Sequence, residues 1–381
     1  MSPKSHARAS AFRALRLRWA FALIAGLLAL FAFRGLLAGQ WPTSQSNPWF
    51  VLAALVFVFQ FSILWFDLPQ NSLKSKNRLL PRLGPGTWLS LLRLLALSML
   101  GGFLWPARPS GWLAWAPFAL LLLFSLLDLA DGYAARVSGK ATRLGEKLDL
   151  DLDARGMLVA ALLAFHYAAA GWWYLLVGLA RYIYLIAVWA RKQMGLRFAS
   201  PPNCLRRPFA GTQLGIGSAL LAPGLPAELT VFISSVSMVP FLANFLYDWW
   251  VGAEWLRFRK KNRKRFIKIW QHIRDWSLLI IRLFLVLLIL LRIASASSSD
   301  LYVAFDATLG LALFFGAMGR PAAFAFLVGT GLRLLGQNPD GIDFALLFIG
   351  LILLYLGPGA FSLRKSNELW IFRRAGEKTS P

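Results

Sequence analysis

The chain has 381 residues, 58% of them hydrophobic and only 15% charged, against about 25% charged in soluble domains; a soluble globular protein is excluded. The net charge of +24 would suit nucleic acid, but Lys and Arg also crowd the cytoplasmic loops of membrane proteins and meet anionic headgroups there, so membrane lipids are expected partners and nucleic acid is not. The single Cys204 excludes an internal disulfide or a multi-cysteine metal site, and three histidines (His6, His166, His272) leave little for a histidine centre.

A helical membrane span takes about 20 apolar residues. Twelve candidate spans follow in chain order, at about 19–38, 48–66, 88–105, 112–130, 156–171, 172–190, 210–225, 228–250, 276–293, 301–318, 321–336 and 342–360. The first lacks a small-x-small cleavage site, so it reads as a span rather than a removable signal. Basic residues precede the first span (Arg8 to Arg18) and follow the second (Lys74 to Arg82), the sixth (Arg191 to Arg207), the eighth (Arg257 to Arg274) and the twelfth (Arg364 to Arg374). With alternating spans all five segments lie on one side, which the positive-inside bias makes cytoplasmic. The expected fold is therefore all-α: a polytopic protein of about twelve transmembrane helices, in the cell (inner) membrane, with both termini cytoplasmic. It divides into an N-terminal two-helix extension (1–84), a six-helix core (85–254), a basic connector (255–275) and a C-terminal four-helix module (276–381).

Of 17 acidic residues, six fall between 128 and 153: Asp128, Asp131, Glu146, Asp149, Asp151 and Asp153. Carboxylates close to a membrane core are costly and usually functional. Asp128 and Asp131 are three apart and Asp149 and Asp153 four apart, so each pair shares a helix face. Gly132 and Gly145 permit close backbone approach, and the polar stretch 136–144 can turn one helix back on the next. Four carboxylates on two facing helices make an all-oxygen site suited to Mg²⁺ or Mn²⁺, with room for two ions, and Mg²⁺ readily takes phosphate oxygens as further ligands. The bland alternative is a solvated acidic loop, and Glu146 and Asp151 fit that description. It does not account for the full pattern Asp128-x2-Asp131-Gly132-x2-Ala135-Arg136-x8-Gly145-x3-Asp149-x3-Asp153. At background frequencies of roughly 5–10% per residue type, eight such matches arise by chance at a given position on the order of once in a billion.

This pattern resembles the signature of the CDP-alcohol phosphotransferases at every fixed position. The resemblance covers the third to eighth spans, with Thr87 and Arg93 similar to the family's opening helix and Arg207 to Gln213 similar to a basic element before the seventh. It departs at Ala154, where many members carry lysine. It implies a six-helix fold with a site open to the cytoplasm. Asp128, Asp131 and Asp149 would hold the metals, Asp153 would touch the second metal and act as general base, and Gly132, Ala135, Arg136, Gly145 and Thr142 would line the CDP pocket. The implied reaction moves a phosphatidyl (phospho-alcohol) group from CDP-diacylglycerol, or a related CDP-alcohol, to a small alcohol acceptor, with CMP leaving. A homodimer is compatible with it.

Arg181 lies within the sixth span and is either functional or snorkelling to the interface. With Arg206 and Arg207 it could form a cationic pocket for a phosphorylated acceptor such as glycerol 3-phosphate or an inositol phosphate; a neutral acceptor would need fewer cations. His166 reads as structural, and Trp172, Trp173, Trp249 and Trp250 as interfacial anchors. In the last module, Leu356-Gly357-Pro358-Gly359 with Phe361-Ser362-Leu363 is similar to the ending of DoxX-like membrane proteins, and Asp306 could pair with an arginine inside the bundle. Two rival functions are a transporter or divalent-ion channel, which gives no role to the fixed Gly, Ala and Arg positions, and a non-catalytic scaffold of the same fold, which gives no reason for all four aspartates.

Overall fold

The computed structural model describes residues 3–73, 79–138, 142–198, 206–254, 260–295, 301–315, 319–335, 338–357 and 359. Twelve α-helices run through them: α1 (Pro3–Ala38), α2 (Thr43–Asp67), α3 (Pro85–Gly102), α4 (Ala116–Val137), α5 (Arg143–His166), α6 (Leu175–Gln193), α7 (Arg206–Leu221), α8 (Ala227–Gly252), α9 (Lys260–Ser295), α10 (Leu301–Phe314), α11 (Gly319–Arg333) and α12 (Gly341–Leu356). Among the described residues there is no strand, only isolated bridges at Ser72–Leu79 and Leu73–Thr142. Each expected span coincides with one helix. Six stretches are long and apolar enough to cross a membrane by length and composition: Arg8–Ala38, Thr43–Gln70, Gly111–Val137, Trp172–Gln193, Ala227–Gly252 and Asp275–Ala294.

The outward faces suit lipid. On α1 the side chains of Leu17, Phe21, Ile24, Leu28 and Phe31 stand more than half exposed at helical spacing, while Leu15, Ala22, Leu30 and Leu37 are buried. Such an apolar stripe is a liability in water. In hydrocarbon it is the ordinary surface of a spanning helix, because the helix satisfies its own backbone. α9 is the exception to the sequence reading of a separate connector. From Lys260 the basic stretch is already helical and runs unbroken into the ninth span, giving a helix of 36 residues; residues 255–259 lie outside the described residues.

The chain folds into two compact units. Among the described residues, the first holds the chain up to Arg181 together with Gly211–Ala222; the second holds Tyr182–Ala210 and 223–359. In the first unit α3 is the central helix. It is opened by Pro85 in its first turn and buries Gly86, Thr87, Ser90, Arg93, Leu94, Leu97 and Ser98, among others. A helix buried nearly all round belongs in a core. The N-terminal extension packs directly on it: the Trp49 indole donates to the Met99 carbonyl at 3.1 Å, and the Gln60 amide donates to Ser98 Oγ at 2.9 Å. On its other side Gly86 lets α4 approach so closely that a Cβ there would lie 2.8 Å from the Asp131 carbonyl oxygen. Helix α5 starts at Thr142, whose side chain accepts from the Gly145 amide.

In the second unit α9, α10, α11 and α12 pack around Leu278, Leu285, Ile289, Leu313, Ala323, Phe326, Leu346 and Leu353. Helix α8 joins them through a cluster of Leu229, Leu334 and Leu347. A capping box of Asp340 and Asp343 opens α12.

Candidate active site

The four pattern aspartates converge within the first unit, and the group at their centre is an arginine from a third helix. Asp128 and Asp131 project from α4 and Asp149 and Asp153 from α5. Arg93, on α3 and with no exposed side-chain surface, reaches all four. Its Nη1 lies 2.8 Å from Asp128 Oδ1, 3.1 Å from Asp131 Oδ2 and 3.0 Å from Asp149 Oδ1, and its Nη2 lies 2.7 Å from Asp153 Oδ1. Its Cζ sits over the Phe124 ring at 4.6 Å from the centroid, a cation–π arrangement. Phe124 in turn rests on α5, where a Cβ at Gly156 would fall 2.6 Å from the ring.

The carboxylates differ in their access to solvent. Asp131 forms the floor: its side chain is 5% exposed, and Oδ2 also accepts from Ser90 Oγ at 2.9 Å. Asp149 is the most open at 43%, with Asp128 and Asp153 between them at 33% and 31%. The site is thus a depression with one closed end rather than a sealed cavity.

Carboxylate oxygens of Asp128, Asp131 and Asp149 lie within 4.8 Å of one another. Oxygens on opposite sides of a Mg²⁺ at about 2.1 Å each are about 4.2 Å apart. Small side-chain adjustments would bring three acidic oxygens from two helices onto one hard divalent cation, so this donor set fits such an ion.

The remaining pattern residues lie on or beside the same two helices. Ala135 meets α3: the Cβ that Gly86 lacks would lie 2.9 Å from its own. The Arg136 guanidinium folds over Gly132, with Nη1 3.0 Å from where a Cβ would be. The buried Thr142 caps α5, its Oγ1 accepting from the Gly145 amide at 3.0 Å. A Cβ on Gly145 would enter the notch between the Thr142 and Thr87 hydroxyls, 3.3 and 3.7 Å away. Asp151 stands apart from the four, 3.8 Å from Arg155 one turn along the helix. His166 Nε2 meets the Pro106 carbonyl at 3.0 Å, as a structural histidine would.

Of the arginines assigned to an acceptor, Arg181 lies half-buried on α6. Arg206 belongs to the second unit and is paired with the buried Asp248 at 2.5 Å. Arg207 follows it in the first turn of α7, but its side chain lies outside the described residues, as does that of Asp306. Sequence reasoning missed Asp248. The available signal was an acid inside an apolar span, which has to find a cation.

Residues 86–253 match the family described as CDP-alcohol phosphatidyltransferase. This segment is a CDP-alcohol phosphatidyltransferase domain. The match spans α3 to α8 and contains Arg93 and all four converging aspartates. No curated protein and no solved structure matches the chain. Domains of this family are transferases of substituted phosphate groups, acting on CDP-alcohols and alcohol acceptors in phospholipid synthesis. The CDP-alcohol phosphatidyltransferases are generally dependent on divalent metal, in keeping with the oxygen donors described above. Of the C-terminal motif likened to DoxX proteins, Pro358 and Phe361 to Leu363 lie outside the described residues.

Proposed function

We propose that the protein transfers the phosphatidyl group of CDP-diacylglycerol to a phosphorylated alcohol of the glycerol 3-phosphate or inositol phosphate class, releasing CMP. The observation that carries the reading is the meeting of four carboxylates from α4 and α5 at one point, open on the Asp149 side and closed at Asp131. Asp128, Asp131 and Asp149 would hold divalent ions. When bound, these ions neutralise the diphosphate and polarise the phosphorus under attack.

Asp153 is the general base. It takes the proton of the acceptor hydroxyl as that oxygen bonds to the phosphorus carrying diacylglycerol, and the bond from that phosphorus to the CMP oxygen breaks. The Asp153 oxygens are partly exposed, as a base that meets an incoming hydroxyl must be. Gly132 and Gly145 keep the helix surfaces low enough for a nucleotide, and Arg136 offers a planar fork for its phosphates. Of the cations expected to meet the acceptor phosphate, Arg181 belongs to the same unit as the four carboxylates, and it carries that assignment. The domain would sit in the inner membrane with its site facing the cytoplasm.

Purified protein in lipid nanodiscs, given CDP-diacylglycerol and Mn²⁺, is to be offered glycerol 3-phosphate, inositol phosphate, inositol and serine separately. A phosphorylated acceptor should give lipid product and stoichiometric CMP. Turnover with serine or inositol alone would overturn the acceptor class, and no CMP with any acceptor would overturn the reaction.

A further inference from the structure

The guanidinium of Arg93 lies where the four carboxylates meet. Both terminal nitrogens are engaged with the aspartates, while Nε makes no hydrogen bond. Four like charges this close repel strongly at low dielectric, and a fully buried arginine is itself costly without counter-charge. Each therefore makes the other tolerable. The oxygens Arg93 engages, Oδ1 of Asp128 and Asp149 and Oδ2 of Asp131, belong to the same three residues whose oxygens cluster closely enough for an ion. A divalent cation bonds such oxygens directly and cannot share the centre with a guanidinium.

We propose that Arg93 is the resident cation of this site: it holds the carboxylates together when no ion is present, and a divalent ion must compete with it to enter. Arg93 is then a positioning residue that sets the ion-binding threshold, with Phe124 as the shelf that seats its guanidinium among the carboxylates. The inference rests on the carboxylates being a divalent-ion site, as proposed above.

A merely structural arginine, one that preorganises the aspartates for metal, predicts the opposite sign. Removing a preorganiser weakens ion binding, whereas removing a competitor tightens it. The test is Mn²⁺ binding to the full chain in nanodiscs without nucleotide, followed by the electron paramagnetic resonance of the free ion, with melting in EDTA and in Mn²⁺ alongside. Arg93→Met should bind Mn²⁺ on the order of ten-fold tighter than wild type. It should also melt lower than wild type in EDTA and recover more on adding Mn²⁺. Equal or weaker binding by the folded variant would overturn the proposal while leaving the metal site standing. No Mn²⁺ binding by either wild type or Arg93→Met would remove both. Should Arg93→Met not fold, Phe124→Leu decides: it unseats the guanidinium without touching a carboxylate. Several-fold tighter Mn²⁺ binding supports the proposal and equal or weaker binding overturns it.

Discussion

Among single residues, Asp153 and Asp131 have separable roles. Asp153→Asn keeps the shape and a hydrogen-bond acceptor for Arg93 but removes the base, so CMP release should fall roughly 10²–10⁴-fold with little change in melting temperature. Asp131 is the buried floor, accepting from both Ser90 and Arg93. Asp131→Ala removes one of the four carboxylates around the guanidinium and one acceptor of the Ser90 hydroxyl, and should cost stability as well as activity, on the order of 2 kcal/mol, read by thermal unfolding in nanodiscs. The aspartates were legible in the sequence because helical spacing puts each pair on one face whatever the tertiary fold. The central place of Arg93 was not. It lies on a different helix, and its reach depends on how closely α3 and α4 approach at Gly86.

That approach is a matter of helices. A Cβ at Gly86 would meet the backbone oxygen of Asp131, and backbone cannot swing aside as the end of a side chain can. Gly86→Val should therefore push α4 away, lowering activity along with melting temperature even though no catalytic group is changed. Gly86→Ser, which is smaller, should fall between wild type and Gly86→Val. The helix count was readable from apolar length, and each expected span coincides with a helix. The basic segment 255–275, read from the sequence as a connector, is helical from Lys260 onward. Helix α9 continues through it, since Lys and Arg are good helix formers. Helix α12 offers a pH test. Partial burial opposes the charge on Asp340, but the Asp343 and Ile342 amides and Arg292 hold its carboxyl below the usual carboxylate range. Its contribution to stability is present above the ordinary aspartate value of about 3.9 and is lost as pH falls through the lower folded value. Asp340→Asn should flatten that acid limb of the melting curve.

For the whole molecule, the charge asymmetry of the loops predicts one orientation in the membrane. The lone cysteine, Cys204, falls in a basic segment expected to be cytoplasmic. In inside-out vesicles a membrane-impermeant maleimide should label it, and in sealed right-side-out vesicles it should not; the reverse would invert the topology. The family domain and its reaction were legible from one short, specific pattern. The pairing of Arg206 with Asp248, and of Arg333 with Asp343 at 2.6 Å, was not, because such partners are set by how separate helices pack.

The central claim is that the Asp128–Asp153 carboxylates form a divalent-ion site that drives CMP release. It is tested most directly by CMP release from CDP-diacylglycerol in nanodiscs with an acceptor present, after chelation, after Mn²⁺ is restored, and with Asp149→Asn in place of wild type. The account predicts no release after EDTA, full recovery with Mn²⁺ and little or none with Asp149→Asn at any Mn²⁺ concentration. Release that survives chelation, or an Asp149→Asn protein as fast as wild type, would contradict it.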